Sequence, residues 1–580
     1  MRLYMLAGLA ALSLSACATI GEDLSDADAD KPTLRIVGLN DFHGNLQPIR
    51  RPFGIRISET ETVTVPVGGA AWLAGAVEAV RQQSDNLLII SAGDLIGGSP
   101  LVSSIFLDEP TIGAMNRIGL DFNAVGNHEF DQGWQELKRM QDGGCTKYTL
   151  REPCQVEQPF EGAEFTFLAA NVTTSERRTL FPAYGIRSYG EADQAFEVAV
   201  IGLTLEDTPS LVTPSGVEGL TFRDEATTIN ALIPQIRERG IETIIVAIHQ
   251  GLYSNRPYAE GGCEGIEGPL LEILEQLDPA IDYIHSGHTH NQYVCDYATI
   301  DPARRFLVTS GGYGGSYLTE ATLVIDPDTR DVVSSSARNR VIQSEGIDRD
   351  GQPLATDARL GTIVPDAEMA AYVARYVEAS SEAADRPVGK VSGAAAKPGP
   401  ATEETRLGNL IADGQLSATR DAGAQIALMN NSGIRTDLAP AADGTVSYGA
   451  IYAIQPFGNS LVTKTFTGAQ LLALLEQQVD DEGFVQTFSV SEGFAFAYDM
   501  SLPVGSRIVS ATLDGNPIAP DARYRVTMNS FLAAGGDNFT VFKDGTDMTT
   551  GPLDLDAFEA YLVAVPVRAL PETGRVIEVD

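Results

Sequence analysis

Cysteine is scarce in this sequence: there are five residues among 580, and no two have the C-x-x-C spacing of zinc sites and redox pairs. Basic residues are also few, with 40 Lys and Arg against 78 Asp and Glu, for a formal net charge of −38. Such a charge repels polyanions and excludes a nucleic-acid polymer as the main ligand. It does not exclude a small phosphorylated ligand held by a few Arg residues or metal ions.

Long apolar runs are missing too. Beyond an apolar segment at 3–14, no run approaches the roughly 20 residues of a membrane-spanning helix. What is present is an ordinary globular balance of 43% hydrophobic and 20% charged residues. A chain of 580 residues with this balance predicts two or more large domains.

The N-terminus indicates export. Arg2 precedes the apolar run, and small residues lead to Cys17, which is typical of a lipoprotein signal peptide over 1–16 with a lipid-bearing Cys. An ordinary signal peptide with Cys17 incidental is the alternative. Ala18, in place of an Asp, favours the outer membrane, and an acidic tether is predicted over 17–31. We therefore expect a periplasmic or cell-envelope protein whose lipid is its only membrane anchor.

The other four cysteines fit an oxidising compartment. Four cysteines allow three pairings, and the pattern does not choose among them. Proximity favours Cys145 with Cys154, and Cys263 with Cys295. Both pairs would close surface loops.

Apolar runs and helical patterns alternate through the first half, which predicts an α/β domain over 32–345. Strands are predicted at 34–39, 87–91, 165–170, 196–203, 243–248 and 305–309, with helices at 71–82 and 226–239. A linker with a hinge helix is predicted over 346–386, and a second α/β domain over 387–580. That domain has predicted helices at 407–417 and 469–479, and strands at 426–428, 507–513 and 524–528.

Polar residues of the kind that bind metals follow the strands of the first domain. They stand in five short motifs that contain Asp41 and His43, Asp94, Asn127 and His128, His249, and His288 and His290. All six histidines lie in this half of the chain. Two divalent ions a few ångströms apart need a bridging carboxylate and a mixed set of Asp, Asn and His ligands. His285 matches no ligand position, and we interpret it as structural.

In this order the motifs resemble those of the two-domain 5′-nucleotidases and UDP-sugar hydrolases, whose N-terminal domain is a calcineurin-like metallophosphoesterase. The resemblance implies a four-layer αββα sandwich, a linker helix and a C-terminal α/β nucleotide-binding domain. It implies that Asp41, His43 and His290 hold one ion and that Asn127, His249 and His288 hold the other. Asp94 would bridge both ions. His128 matches the catalytic histidine and Asp131 the acid that orients it.

The second half carries motifs that resemble the family's substrate loops. By this resemblance Arg420, Asn430 and Arg435 contact the substrate phosphate, Phe457 and Phe531 sandwich the base, and Asp537 binds the ribose. Arg420 stands at a slightly different spacing from the family's phosphate-binding Arg. Asn431 and Ser432 replace two glycines of the family loop. Stacking tolerates any base, so the preferred base stays open.

The resulting prediction is a 5′-nucleotidase that uses two divalent ions (Zn²⁺, Mn²⁺ or Co²⁺) and a metal-bridging hydroxide. UDP-sugars are a further expected substrate class. The alternatives are a 2′,3′-cyclic-nucleotide phosphodiesterase with 3′-nucleotidase activity, a dimanganese thiosulfohydrolase, and a non-catalytic surface nucleotide-binding protein. The resemblance also implies that the C-terminal domain rotates on the linker helix to carry substrate to the metals.

Overall fold

The computed structural model describes residues 20–21, 31–49, 53–149, 151–212, 216–346, 353–399, 404–480 and 487–579. Its helices and strands form the mixed α/β architecture that the sequence predicts. The expected signal peptide, Cys17 and nearly all of the expected tether lie outside these residues. Within the described ranges, every helix is too short or too polar to cross a membrane.

The first sheet of the N-terminal domain has seven strands, four of which are parallel. In spatial order they are Ile20–Gly21, Val332–Val341, Tyr317–Ile325, Thr33–Leu39, Leu87–Ser91, Phe122–Ala124 and Thr166–Leu168. The second sheet has six strands, again with four parallel ones. Their order is Gln292–Asp296, Leu307–Gly311, Tyr283–Ser286, Thr243–Ile248, Phe196–Leu203 and Tyr184–Tyr189.

The two sheets pack face to face, because alternate side chains of each strand point to opposite faces. In Leu87–Ser91, Leu88 and Ile90 join a core shared with Val198 and Val200 of the second sheet, whereas Ile89 points to the helices. Helices cover both outer faces, which completes four layers. The N-terminal helices are Ala70–Arg81, Leu101–Ser104, Glu109–Ile118, Trp134–Asp142, Thr208–Leu211, Glu225–Arg237 and Leu270–Leu274.

Helix Ala367–Asp385 connects the two domains. Asp366 caps its N-terminus by accepting a hydrogen bond from Met369 N at 2.7 Å. Its buried residues Tyr372 and Tyr376 pack in the helix layer of the first sheet, and Ala384 packs in the C-terminal domain. This helix is therefore in contact with both domains.

The C-terminal domain is built on a five-stranded sheet. The strand order is Phe488–Val490, Ile426–Asn430, Arg523–Asn529, Ser460–Thr467 and Thr546–Leu553. A second sheet contains Asn516–Pro517, Ile508–Leu513, Phe494–Tyr498 and Val576–Glu578. The helices are Arg406–Thr419, Tyr448–Ile454, Gly468–Glu476, Ser530–Ala533 and Asp554–Val563. Three two-stranded sheets complete the fold and pair Phe53–Arg56 with Thr62–Val65, Val172–Thr174 with Leu220–Phe222, and Pro387–Lys390 with Thr445–Ser447.

Two disulfides are present, Cys145–Cys154 and Cys263–Cys295, as proximity along the chain favoured. His285 is fully buried between the sheets, where its ring nitrogens lie 2.9 Å from Leu39 O and 3.0 Å from Thr309 Oγ1. A Cβ on Gly38 would lie 2.5 Å from this ring, so glycine makes room for it. These contacts are those of a structural histidine.

Candidate metal centre and nucleotide cavity

The loops that follow the parallel strands place the predicted metal ligands at one edge of both sheets. Thr33–Leu39 and Leu87–Ser91 are parallel neighbours in the first sheet, and Thr243–Ile248 and Tyr283–Ser286 are parallel neighbours in the second. The carboxyl ends of parallel strands meet at one edge, where α/β folds bind ligands. The candidate ligands are Asp41, His43, Asp94, Asn127, His249, His288 and His290.

A first cluster contains Asp41, His43 and His290, with ligand atoms within 4.8 Å of one another. His290 Nε2 lies 3.2 Å from His43 Nε2 and 3.5 Å from Asp41 Oδ1. His43 Nδ1 lies 2.7 Å from the carbonyl oxygen of Gly97. Because a carbonyl only accepts, His43 Nδ1 carries the hydrogen and Nε2 turns a lone pair towards His290.

A second cluster contains Asp94, His249 and His288 within the same distance limit. His249 Nδ1 donates to Ala92 O at 2.7 Å, and its Nε2 lies 3.0 Å from Asn127 Oδ1 and 3.1 Å from Asp94 Oδ2. The same Asp94 oxygen lies 3.6 Å from Nε2 of His43 in the first cluster. Asp94 therefore stands between the two clusters.

The donor chemistry of both clusters fits divalent cations, since lone pairs of imidazole, carboxylate and amide oxygen converge on the same space. Burial lowers the pKa of His43 and of His288 to about 3, so both rings are neutral, which is the form that binds metals. For His249 burial lowers the pKa, but attraction to Asp94 and Asp41 and a hydrogen bond to Asp94 together outweigh burial and raise the pKa to about 10. A cation beside Asp94 would supply the positive charge that this environment favours.

The backbone of the clusters is strained. Five candidate ligands have positive φ angles, which are 48° at Asp41, 45° at His43, 52° at Asp94, 71° at His288 and 58° at His290. The left-handed region costs a residue other than glycine roughly 1–2 kcal/mol. Strain of this kind concentrates at functional sites, where the surrounding fold holds it in place.

His128 lies beside the second cluster and is paired with Asp131. Its Nδ1 lies 2.9 Å from Asp131 Oδ2, which also accepts a hydrogen bond from Gly98 N at 3.2 Å. Burial opposes the charged imidazolium, but attraction to Asp131 and Asp94 outweighs burial and raises the pKa of His128. This arrangement fixes the ring and favours a protonated imidazole, as a general acid requires.

Glu129, in the same motif, is a supporting residue that the sequence reasoning missed. Its buried carboxylate accepts hydrogen bonds from Asp94 N, Leu95 N and Gly126 N at 2.9, 2.9 and 2.7 Å. It thereby joins the loop that carries Asp94 to the loop that carries Asn127 and His128. The sequence offered one indication of its role, which is its position between residues of the metal-binding motif. The motif alone does not distinguish a metal ligand from a residue that holds the loops in place.

A cavity of about 270 Å³ begins at this centre and continues into the C-terminal domain. The N-terminal domain contributes Asn127, His128, Asp131, Leu211, Val212 and His288 to its lining. The C-terminal domain contributes Met429, Asn430, Ser432, Gly433, Arg435, Phe457, Asn459, Asn529, Phe531, Asp537 and Asp554. Five of the six predicted substrate residues therefore line one cavity together with the predicted catalytic pair.

Phe457 lies against the predicted catalytic histidine. The rings of Phe457 and His128 are nearly parallel, with a 13° angle and 5.7 Å between centroids. The guanidinium carbon of Arg435 lies 5.7 Å from the centroid of Phe457. Phe531, which also lines the cavity, packs on Gly536, where a Cβ would lie 2.5 Å from the ring. Both phenylalanines and one arginine thus border the space beside the metal centre.

Asp537 is held by the loop in which Ser432 replaces a family glycine. Asn430 Nδ2 donates to Asp537 Oδ2 at 2.8 Å, and Ser432 Oγ donates to the same oxygen at 2.7 Å. Asn529 Nδ2 in turn donates to Asn430 Oδ1 at 2.9 Å. The serine is therefore accommodated by a hydrogen bond to the predicted ribose-binding carboxylate.

Arg420 lies apart from this cavity. It follows the last residue of helix Arg406–Thr419, its side chain is 58% exposed, and it pairs with Glu492 at 2.7 Å. It does not belong to the cavity lining. Its contact with the substrate phosphate stays a prediction.

Three hydrophobic or aromatic residues of the site were also missed. Leu211 and Val212 line the cavity from the N-terminal domain, and the ring of Tyr313 stacks on His290 with 4.6 Å between centroids. A single hydrophobic residue in a loop gives little indication in the sequence that it belongs to a binding site. Their role depends on which elements the fold brings to them.

Two protein families match the chain. Residues 34–292 match the calcineurin-like phosphoesterases, and residues 387–544 match the 5′-nucleotidase C-terminal domain. The chain is 26% identical over 597 residues to a 5′-nucleotidase of Vibrio cholerae, with 97% of each protein covered. It is 30% identical over 536 residues to endonuclease YhcR of Bacillus subtilis, covering 91% of this chain but 39% of that relative, and so spans well under half of its length.

A solved structure has the same fold over nearly the full length. The 5′-nucleotidase precursor of Thermus thermophilus superposes with a TM-score of 0.72 at 25% identity, covering 94% of this chain and 99% of that one. The shared fold includes both domains. The match therefore extends to the domain that carries the cavity's aromatic residues.

Proposed function

Because the chain belongs to the 5′-nucleotidase family of metallophosphoesterases, we propose that it releases phosphate from nucleoside 5′-monophosphates. It is a metal-dependent phosphoester hydrolase. The proposal adds the substrate and the role of each residue. The observation that carries it is that His128 and His288 line the same cavity as Phe457, Phe531 and Asp537.

In this mechanism the two clusters, with Asp94 between them, would hold two divalent ions. Bound there, such ions lower the pKa of water and offset the charge on phosphate oxygens. Zn²⁺, Mn²⁺ and Co²⁺ all suit the mixed donor set. Glu129 and the strained loops keep the ligand atoms in place before any ion binds.

His128 acts on the leaving oxygen in this proposal. Its Nε2 is the nitrogen left for the substrate, because its Nδ1 faces Asp131. A protonated His128 stabilises charge on the transferring phosphoryl group and donates a proton to the 5′-oxygen. Asp131 keeps the ring in the required orientation.

The C-terminal side of the cavity binds the nucleotide. Arg435 and Asn430 bind phosphate oxygens, and a planar guanidinium suits that task. The base lies between Phe457 and Phe531, and Asp537 accepts hydrogen bonds from the ribose hydroxyls. Stacking with two aromatic rings favours nucleotides over simple phosphate esters while accepting any base.

The proposed location is the cell envelope or the space outside it. Two disulfides support this location, because disulfides form and persist in oxidising compartments and are rare in the cytosol. One relative, 28% identical, is a cell wall protein of Listeria monocytogenes. Lipidation at Cys17 and delivery to the outer membrane are part of the proposal. Mass spectrometry of the mature N-terminus tests the lipidation at Cys17, since an unmodified N-terminus would contradict the lipid anchor.

The deciding experiment measures phosphate release from 5′-AMP by the metal-loaded protein, a chelated sample and a His128→Ala variant. We expect release that falls at least about 100-fold in both controls. The same protein is given 3′-AMP, 2′,3′-cyclic AMP and a UDP-sugar. Preferred cleavage of the cyclic ester would replace the proposal with a cyclic-nucleotide phosphodiesterase. No cleavage of any ester with metal verified in the site would indicate a nucleotide-binding protein.

A further inference from the structure

The loop closed by Cys145–Cys154 carries an arginine that contacts the other domain. Arg151 Nη1 donates to Ser104 O at 2.6 Å within the N-terminal domain. Its Nη2 donates to the hydroxyl oxygen of Tyr452, in the C-terminal domain, at 3.0 Å. The guanidinium carbon also lies 5.3 Å from the centre of the Tyr452 ring. One side chain thus bonds both domains.

Tyr452 connects Arg151 to a loop that borders the substrate cavity. The residue is 2% exposed, and its hydroxyl donates to Pro456 O at 3.0 Å. Pro456 immediately precedes Phe457, whose ring lies parallel to His128. A continuous set of hydrogen bonds therefore leads from the disulfide loop to the residue before the aromatic ring of the cavity.

The loop is anchored firmly enough to position Arg151. At one end, Gly144 O accepts from Arg139 Nη1 at 2.9 Å, and at the other, Cys154 N donates to Glu109 Oε1 at 2.9 Å. Arg139 and Glu109 are themselves joined at 2.8 Å, and both side chains are 1% exposed. A buried ion pair is costly to disrupt by removing one partner, so it forms a stable base for the loop.

An apolar contact surrounds this link. Leu101 of the N-terminal domain packs in a cluster with Ile451, Tyr452 and Leu555 of the C-terminal domain, and Ile105 packs against that cluster. Apolar packing is not directional and tolerates sliding, whereas a hydrogen bond has strict geometry. Arg151 is thus placed to fix one orientation of the domains.

We propose that Arg151 is a positioning residue that holds the C-terminal domain, through Tyr452 and Pro456, in the arrangement that presents Phe457 to the metal centre. This inference rests on the proposed function, because it assigns the link an effect on nucleotide binding. Arg151 touches neither the cavity lining nor the candidate ligands. Its loss should therefore affect substrates that need both domains more than substrates that need only the metal centre.

The test compares Arg151→Met and Tyr452→Phe with the control Lys147→Met. Lys147 lies in the same loop, is 43% exposed and pairs with Glu152 of the same loop. Steady-state kinetics are measured with 5′-AMP and with p-nitrophenyl phosphate, which has no ribose for Asp537 and no nucleobase to lie between Phe457 and Phe531. Small-angle scattering of each ligand-free protein reports the domain arrangement, and thermal unfolding checks that each variant is folded.

We expect KM for 5′-AMP to rise about tenfold in both variants, the effect of losing one hydrogen bond to a charged donor. KM for p-nitrophenyl phosphate should change less than twofold, and the control should match the wild type with both esters. The double variant should be no worse than either single one, because both changes break the same link. The radius of gyration should increase in Arg151→Met.

Equal losses with both esters, or unchanged KM for 5′-AMP in folded variants, would overturn the inference. If the wild type cleaves p-nitrophenyl phosphate but not 5′-AMP, the proposed function fails and the scattering measurement decides the inference alone. In that case an unchanged scattering profile of Arg151→Met shows that Arg151 does not hold the domains. A Cys145→Ser/Cys154→Ser protein should reproduce the Arg151→Met kinetics if the disulfide positions the loop.

Discussion

At the scale of single residues, Asp554 is a buried carboxyl group in the cavity lining without a role in the proposed reaction. It begins helix Asp554–Val563, is 2% exposed, and accepts a hydrogen bond from Leu555 N at 2.8 Å. Burial is the main cause that raises its pKa from 3.8 to about 7. The folded protein therefore holds this proton at pH values where the unfolded chain has lost it.

This difference makes the free energy of unfolding depend on pH. Below about pH 4 both states are protonated, and as the pH rises to about 7 the folded state becomes progressively less favoured. Asp554→Asn removes the ionisation and keeps an oxygen for Leu555 N. Between pH 4 and 8 we expect the variant to gain up to about 4 kcal/mol relative to the wild type. Urea unfolding of both proteins at a series of pH values measures how the difference in their free energies of unfolding changes with pH.

The exposed neighbour Asp556 provides a matched control. Asp556→Asn removes an exposed carboxylate from the same helix turn. Because Asp556 is a smaller cause of the raised Asp554 pKa than burial, the free energy of unfolding of this variant relative to the wild type should change with pH much less than that of Asp554→Asn. If the free energy of unfolding of Asp554→Asn relative to the wild type changes with pH no more than that of Asp556→Asn, Asp554 is ionised in the folded protein and burial does not control its charge.

Residue types in order along the chain were sufficient to predict which side chains the fold brings together at the metal centre. The seven candidate ligands and His128 stand directly after strands, and strand ends converge in an α/β sheet. Arg420 lies on the surface beside Glu492, and local spacing does not predict which way a side chain at the end of a helix points. Glu129 was missed because three of its four partners are backbone N–H groups, which have no sequence signature, and the fourth, Asn123 Nδ2, belongs to the strand Phe122–Ala124.

At the scale of elements, the segment from Ala533 to Phe542 depends on a buried lysine. Lys464 is 7% exposed, and its Nζ donates to Ala533 O at 2.8 Å and Phe542 O at 2.9 Å. Asp537 lies between these two carbonyls, with a positive φ of 53°. The lysine thus joins both ends of a strained segment that presents Asp537 to the cavity.

Lys464→Met should leave two buried carbonyl oxygens without this donor. The expected cost in the free energy of unfolding is about 2 kcal/mol, and KM for 5′-AMP should rise as the segment loosens. KM for p-nitrophenyl phosphate should stay close to that of the wild type. Lys543→Met, at the exposed position directly after this segment, is the control for charge removal. A loss of stability with unchanged KM for 5′-AMP would limit Lys464 to a structural role.

Local patterns predicted most of the elements that carry the site. The strands Leu87–Ser91, Phe196–Leu203 and Thr243–Ile248 have the predicted bounds, because each is a short, mainly apolar run that contains β-branched residues. The strands Tyr317–Ile325 and Val332–Val341 were not predicted. They mix polar and apolar residues, and they pair with each other across a tight connection. Strand order depends on contacts between segments that are distant along the chain, so hydrophobic periodicity alone does not predict it.

At the scale of the whole molecule, the candidate ligands connect the two sheets of the N-terminal domain. Asp41, His43, Asp94 and Asn127 follow strands of the first sheet, and His249, His288 and His290 follow strands of the second. Each cluster takes ligands from both sheets. Ions bound there would hold together the ligand-bearing edges of a sandwich whose core is otherwise apolar.

Metal removal should therefore destabilise the N-terminal domain as a unit. A ligand that binds only the folded state at 100 times its Kd stabilises it by about 2.7 kcal/mol, which for a large domain corresponds to about 5 °C or more in Tm. Calorimetry of chelated and Mn²⁺- or Zn²⁺-loaded protein measures the shift. Asp94→Asn should lose most of it, because Asp94 stands between the clusters.

Glu206→Gln is the control for cations that bind elsewhere, since Glu206, Asp224 and Glu225 form a separate acidic group. We expect this variant to keep the full shift on metal loading. If Asp94→Asn keeps the shift and Glu206→Gln loses it, the stabilising ions bind at the acidic group and not between the sheets. If the Tm of no protein responds to metal, the two clusters are not cation sites, and the proposed hydrolysis loses its physical basis.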